Sequence, residues 1–271
     1  MTHRASHLKD FPVVILAGGF GTRLREQTEF IPKPMVLIGT KPILWHIMKI
    51  YSNYGFKHFI ICLGYKGELI KDYFLHYRFR NSDFTINLAD HESVNIHTSY
   101  REEDWQVTLV DTGLKAMTGA RIKRIEKYID TNRFLLTYGD GVANIQIPEL
   151  VNFHLSHGKI STVTGVNPPP RFGELLTNGN TVIEFGEKPQ IRSKIINGGF
   201  FVFNREIFSY LKEDDQCTLE RGPLERLAMD GQLMVYYHND FWQCMDTQRD
   251  MDLLNEYWRS GNAPWKVWDL E

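Results

Sequence analysis

PVVILAGGFGTRL, Pro12 to Leu24, decides the fold. Five apolar residues in an unbroken run read as a strand buried on both faces, the pattern of a parallel sheet covered by helices. Glycines stop the run at Gly18, and three of the four residues Gly18, Gly19, Phe20 and Gly21 are glycine. Such a turn lets the backbone bend tightly, leaves few Cβ atoms in a ligand's way and aims successive N–H groups into one concavity that suits phosphate oxygens. Thr22 adds a hydroxyl, and Arg23 a forked cation fitted to phosphate. A Walker A loop requires Gly-Lys-Ser/Thr where Gly21-Thr22-Arg23 stands. A dinucleotide fingerprint requires a small residue where Leu24 stands. Both fail, so the loop is a phosphate cradle of another kind.

Working outward, strand and helix patterns alternate. HFIICLG (His58–Gly64), FLLTYGD (Phe134–Asp140) and STVTGV (Ser161–Val166) repeat the apolar strand. Helical spacing runs over Ile43–Tyr54, Gly67–Tyr77, Pro148–Ser156 and Asp250–Arg259. This alternation predicts an α/β fold with a mostly parallel sheet. FTINLA and WQVTLV, between Phe84 and Val110, predict an antiparallel excursion or edge hairpin. NTVIEF, GGFFVF and LMVYYH predict further short strands after Pro168. The aromatic tail APWKVWDLE is expected to pack back on the body or on a neighbouring subunit.

Candidate chemistry lies where apolar strands meet glycine. In PKPM, two prolines hold Lys33 in extended backbone. In TYGDG, Asp140 stands at a strand's carboxyl end, where ligands of parallel sheets bind, and suits Mg²⁺ carried by a triphosphate. MDT offers Asp246 as a second carboxylate. FGEKP offers Glu187 for sugar hydroxyls and Lys188 for a second phosphate, and INGGFF brings glycines where a ligand or a bulge would sit.

Composition removes other classes. The 271 residues carry a formal charge of −2, which leaves no general basic field for nucleic acid or an anionic membrane. No window of eighteen apolar residues occurs. Cys62, Cys217 and Cys244 are few, odd in number and far apart, and the first residues lack the apolar run of a signal peptide. A reducing cytoplasm is the expected compartment.

LAGGFGTRL, PKPM, YGDG, EKP, NGGFF and MDT, in this order, resemble the sugar-1-phosphate nucleotidyltransferases. KPILWHIMKIYSNYG, VTLVDTG, MTGARIKRI and FWQCMDTQRD look more specifically like the glucose-1-phosphate cytidylyltransferases. The similarity runs from Phe11 to Trp268. It implies a Rossmann-like nucleotidyltransferase core (about 11–166), a mixed sheet, a β-rich sugar-binding part (about 167–249), a closing helix and tail (250–271) and an N-terminal extension (1–10). It implies CTP and glucose 1-phosphate as substrates, Mg²⁺ as cofactor, and a homo-oligomer, trimer or hexamer. Leu16, Ala17, Gly18, Gly19, Phe20, Gly21, Thr22 and Arg23 would cradle the nucleotide, with Arg23 and Lys33 on its phosphates and Gly139 against the nucleoside. Asp140 and Asp246 would hold the metal. Glu187 and Lys188 would take the sugar phosphate, with Asn197 and Gly198 beside the sugar. Arg121 matches a nucleotide-contacting arginine donated from a neighbouring subunit. Ala116 stands where a hydroxyl is available in the family, and Cys244 replaces a proline. Another base, another sugar phosphate, or a silent nucleotide sensor are the competing readings.

Overall fold

The computed structural model describes residues 11–97, 103–168, 174–186 and 195–268. Glu187 and Lys188 therefore lie outside the described residues, as do the extension and the last three residues of the tail.

Seven strands form one sheet: β1 (Val13–Leu16), β2 (His58–Leu63), β3 (Gln106–Asp111), β4 (Arg133–Tyr138), β5 (Ser161–Val166), β6 (Ile196–Asn204) and β7 (Leu233–His238), in the spatial order β7-β5-β6-β4-β1-β2-β3. β1 pairs in parallel with β2 and with β4, β2 with β3, and β5 with β7. Only β6 runs against its neighbours, β4 and β5. The sheet is thus mixed, and its centre is parallel. α1 (Ile43–Asn53), α2 (Gly67–Leu75), α3 (Thr118–Arg124), α4 (Ile147–His157), α5 (Pro223–Met229) and α6 (Gln248–Arg259) are its principal helices.

The continuous apolar reading of β1 has a direct physical outcome. Val13 and Ile15 join one core with Ile47, Met48 and Tyr51 of α1, whereas Val14 and Leu16 join another with Ile122 of α3 and Phe201 and Phe203 of β6. A strand covered on both sides has no polar face to alternate with. WQVTLV departs from expectation. Gln106–Asp111 is a parallel edge strand against β2, and only Phe84–Asn87 with Asp90–Ile96 forms the antiparallel hairpin. Alternation records one solvated face, which an edge strand of either direction possesses. GGFFVF and LMVYYH also enter the main sheet as β6 and β7, while Thr181–Gly186 pairs only with Glu174–Asn178.

The tail folds back as expected. Trp265 is fully buried beside His46 of α1, and Trp258 packs its ring edge-on to that imidazole at 4.6 Å. His46 Nε2–H donates to the Ile38 carbonyl at 3.0 Å, and Nδ1 accepts from Trp265 Nε1–H at 3.4 Å. That arrangement requires a neutral ring, because indole nitrogen only donates. No helix among the described residues is long and apolar enough to cross a membrane.

Burial pushes the His46 pKa down to about 4, against ~6.5 for an unfolded histidine. The unfolded chain therefore binds more protons between those values, and stability falls as pH drops through that interval. The melting temperature is expected to be flat above pH ~6.5 and to decline towards pH ~4. His46→Gln should make the decline shallower without abolishing it, since the buried His154 is also lowered to about 4. A melting series across pH checks the slope; equal slopes for both proteins would remove His46 from the account.

Candidate active site

The connection after β1 runs to β2 on one side, whereas the connection after its other neighbour β4 runs to β5 on the opposite side, and this reversal opens a crevice beyond their carboxyl ends. A cavity of about 1030 Å³ fills that place. The glycine-rich loop borders it, together with Lys33, Tyr138 to Gly141, Asn197 to Gly199, Trp242 and Asp246.

The loop gets its shape from below. Gly21, at φ 63°, adopts the left-handed conformation that glycine tolerates and leads into a 3₁₀ turn over Thr22–Leu24. A Cβ at Gly18 would stand 2.1 Å from the Arg121 guanidinium, and one at Gly64 would stand 2.5 Å from it. Gly18 thus makes room for an arginine, whereas Gly19 has open space around it. Arg121 is buried. It donates to Gly18 O at 2.9 Å, Leu63 O at 2.8 Å, Thr112 Oγ1 at 2.8 Å and Gly113 O at 2.9 Å. One guanidinium therefore ties together the ends of β1 and β2 and the turn after β3. Arg121 lines the cavity, and the donors named above hold oxygens of its own chain.

Opposite the loop, three elements bring charge together. Pro32 holds extended backbone, and Lys33 opens a 3₁₀ turn with its side chain nearly buried. Asp140 follows β4. Trp242–Cys244 pairs antiparallel with Gly141–Ala143, and Met245 N–H donates to Asp140 O at 2.8 Å, so this short ladder sets Asp246 beside Asp140. Lys33 Nζ donates to Asp140 Oδ2 at 2.5 Å and to Asp246 Oδ1 at 2.6 Å. Arg23 donates to Asp246 Oδ2 at 2.6 Å. Burial alone would lower the lysine pKa, but the two carboxylates outweigh it and hold the ammonium above its usual range. Burial likewise opposes ionisation of Asp246, and Lys33 with Arg23 overcomes it, so this carboxyl stays below the ordinary carboxylate range.

Cys244 donates its S–H to Asp246 Oδ2 at 3.6 Å. Burial first, then Asp246 and Asp140, push that thiol up to about 12, so it is a protonated donor at neutral pH.

The far side carries groups that sequence reasoning missed. Asn197 and Gly198 line the cavity there. Tyr138 Oη–H donates to Glu220, and Trp242 Nε1–H donates to Gly198 O at 2.7 Å. Burial and Glu220 hold the Tyr138 phenol above its usual range. Tyr138 directly precedes the glycine-aspartate motif and could have been marked from that position; Glu220 has no local signal. Arg249, in the first turn of α6, and Lys115 also line the cavity. Gly139 lies against Leu16 O and Pro34, where a Cβ would come within 3.0 Å of both.

A family described as nucleotidyl transferase matches residues 12–259. Glucose-1-phosphate cytidylyltransferases of Salmonella typhimurium and Salmonella typhi are each 51% identical over 257 residues, covering 94% of this chain and 99% of theirs. The crystal structure of HddC from Yersinia pseudotuberculosis shares the fold with a TM-score of 0.66 at 24% identity, over 92% of this chain and 99% of that one. The chain accordingly belongs to the nucleotidyl transferase family, among the glucose-1-phosphate cytidylyltransferases.

Proposed function

We propose that this chain joins CTP to α-D-glucose 1-phosphate, forming CDP-glucose and releasing pyrophosphate. The observation that carries the reading is the buried Lys33 ammonium held by Asp140 and Asp246 beside the glycine-rich loop. A phosphate oxygen of the sugar 1-phosphate attacks the α-phosphorus of CTP. The new P–O bond forms as the bond from the α-phosphorus to the bridging oxygen breaks, and pyrophosphate leaves with that electron pair. The attacking oxygen is already ionised at neutral pH, so no protein nucleophile is needed. Catalysis is then alignment and charge neutralisation, and alignment alone is worth ~7–11 kcal/mol in well-oriented systems.

Each part of the cavity has a task in this scheme. Backbone N–H groups from Gly18 to Thr22 receive phosphate oxygens, while Arg23 and Lys33 offset their charge. Asn197 and Gly198 border the sugar, and the family resemblance assigns the sugar phosphate to Glu187 and Lys188. Asp140 and Asp246 fit Mg²⁺: two hard carboxylates on separate elements already converge on one cation, and this metal is commonly held by one or two carboxylates plus substrate phosphates and water. Bound there, the metal supplies neutralisation of the triphosphate. Preference for cytosine is supported by the names of the relatives rather than by a contact. Three free cysteines accord with a reducing, cytoplasmic site of action, and the family resemblance supports a homo-oligomer.

Lys33→Ala and Asp140→Ala are each expected to fold and to lose at least ~10²–10³ in turnover. Pyrophosphate release with CTP and glucose 1-phosphate measures it, and near-normal rates in both would contradict the assignment. Arg121→Lys removes the forked donor shared by Gly18 O, Leu63 O and Gly113 O, of which the first two keep backbone donors from Tyr65 and Thr112. It should lower the melting temperature and raise KM for CTP by ~10-fold, the effect of about one lost buried hydrogen bond with its unpaired partner. An unchanged KM would show that the loop does not depend on that arginine.

A further inference from the structure

Behind the cavity wall, Glu220 ties two parts of the site together. Its Oε2 accepts from Thr118 Oγ1–H at 2.7 Å, at the start of α3, and its Oε1 accepts from Tyr138 Oη–H at the end of β4. Tyr138 Oη in turn accepts from Asn197 Nδ2–H at 3.1 Å, and Asn197 Oδ1 accepts from Gly199 N–H at 2.8 Å. Thr118, Tyr138 and Asn197 line the cavity.

At one end of this chain the Gly199 N–H fixes the Asn197 amide oxygen, and at the other Glu220 fixes the phenol proton. An ionised carboxylate only accepts, so the phenol proton turns towards Glu220 and a phenol lone pair faces Asn197. The Asn197 amide is then held with its nitrogen on Tyr138 and its oxygen on the Gly199 N–H. One Nδ2–H remains, on a side chain exposed to the cavity. Thr118 holds the other carboxylate oxygen: its hydroxyl oxygen accepts the Leu219 N–H at 2.8 Å, and its proton goes to the carboxylate.

We propose that Glu220 is a positioning residue for the sugar 1-phosphate, acting through the Tyr138 hydroxyl to aim the Asn197 amide. This deepens the proposed function and rests on its placing of the sugar beside Asn197. Glu220 itself touches no substrate in this account. Glu220→Gln keeps the shape but brings an N–H₂ group that, turned to Tyr138, removes the acceptor of the phenol proton and competes with Asn197 for the phenol lone pair.

The test is steady-state kinetics with each substrate varied in turn, on the full chain. Glu220→Gln should raise KM for glucose 1-phosphate by ~5–10-fold, the scale of one misdirected hydrogen bond. KM for CTP and kcat should stay within ~2-fold, because no phosphate contact changes. Tyr138→Phe should reproduce the same split, and the double variant should lose little more than either single one, since the residues act in series. If Glu220→Gln melts before assay temperature, Tyr138→Phe carries the measurement. Parallel rises in both KM values, a fall in kcat alone, or no change would overturn the inference while wild-type activity upholds the function. A wild-type chain that releases no pyrophosphate from CTP and glucose 1-phosphate would overturn both.

Discussion

Two ionised carboxylates repel each other in a partly buried pocket unless a cation stands between them, and here that cation is Lys33. Its ammonium lies 2.5 Å from Asp140 and 2.6 Å from Asp246, with Arg23 closing the outer edge. Removing one partner of the buried Lys33–Asp246 pair costs on the order of 3–5 kcal/mol, because the remaining charge is left unpaired, while the exposed Arg23 is screened by solvent and contributes far less. The pocket thus has its carboxylates gathered before substrate arrives, and the protein's own ammonium occupies their common ground. Prolines on both sides of Lys33 matter for the same reason, since they remove backbone freedom that would otherwise let the charge drift from its partners.

The cradle depends on a second buried cation used in a different way. Arg121 meets carbonyl and hydroxyl oxygens rather than a carboxylate, so its fixed fork acts as a template. Gly18 and Gly64 lack side chains because that fork fills the space. Two glycines that look like ligand clearance are partly clearance for the protein's own arginine, and Gly19 keeps the open approach. Lys33 organises the carboxylate side and Arg121 the glycine-loop side, each from beneath the cavity surface.

Much of this was legible in the letters. The parallel centre of the sheet followed from apolar runs that stop at glycine, and the convergence of Lys33, Asp140 and Asp246 followed from strand-end motifs together with the family resemblance. Strand direction was not legible at Gln106–Asp111, because alternation marks exposure and carries no sign of direction. GGFFVF and LMVYYH were read as short strands, but nothing local reveals that they complete the main sheet. The role of Arg121 inside its own chain was hidden as well, since a buried arginine with backbone acceptors writes no motif. Glu220 was invisible for the same reason: its partners Tyr138 and Thr118 lie 82 and 102 residues away.

The most direct test of the central claim is metal binding to Asp140 and Asp246 in the presence of nucleotide. Mn²⁺ titrated into the chain with CTP, followed by electron paramagnetic resonance, reads occupancy without requiring turnover. Asp140→Asn and Asp246→Asn should each weaken that binding by at least ~10-fold, the scale of one lost charged contact. Equal Mn²⁺ affinity in the wild-type chain and both variants would contradict the account.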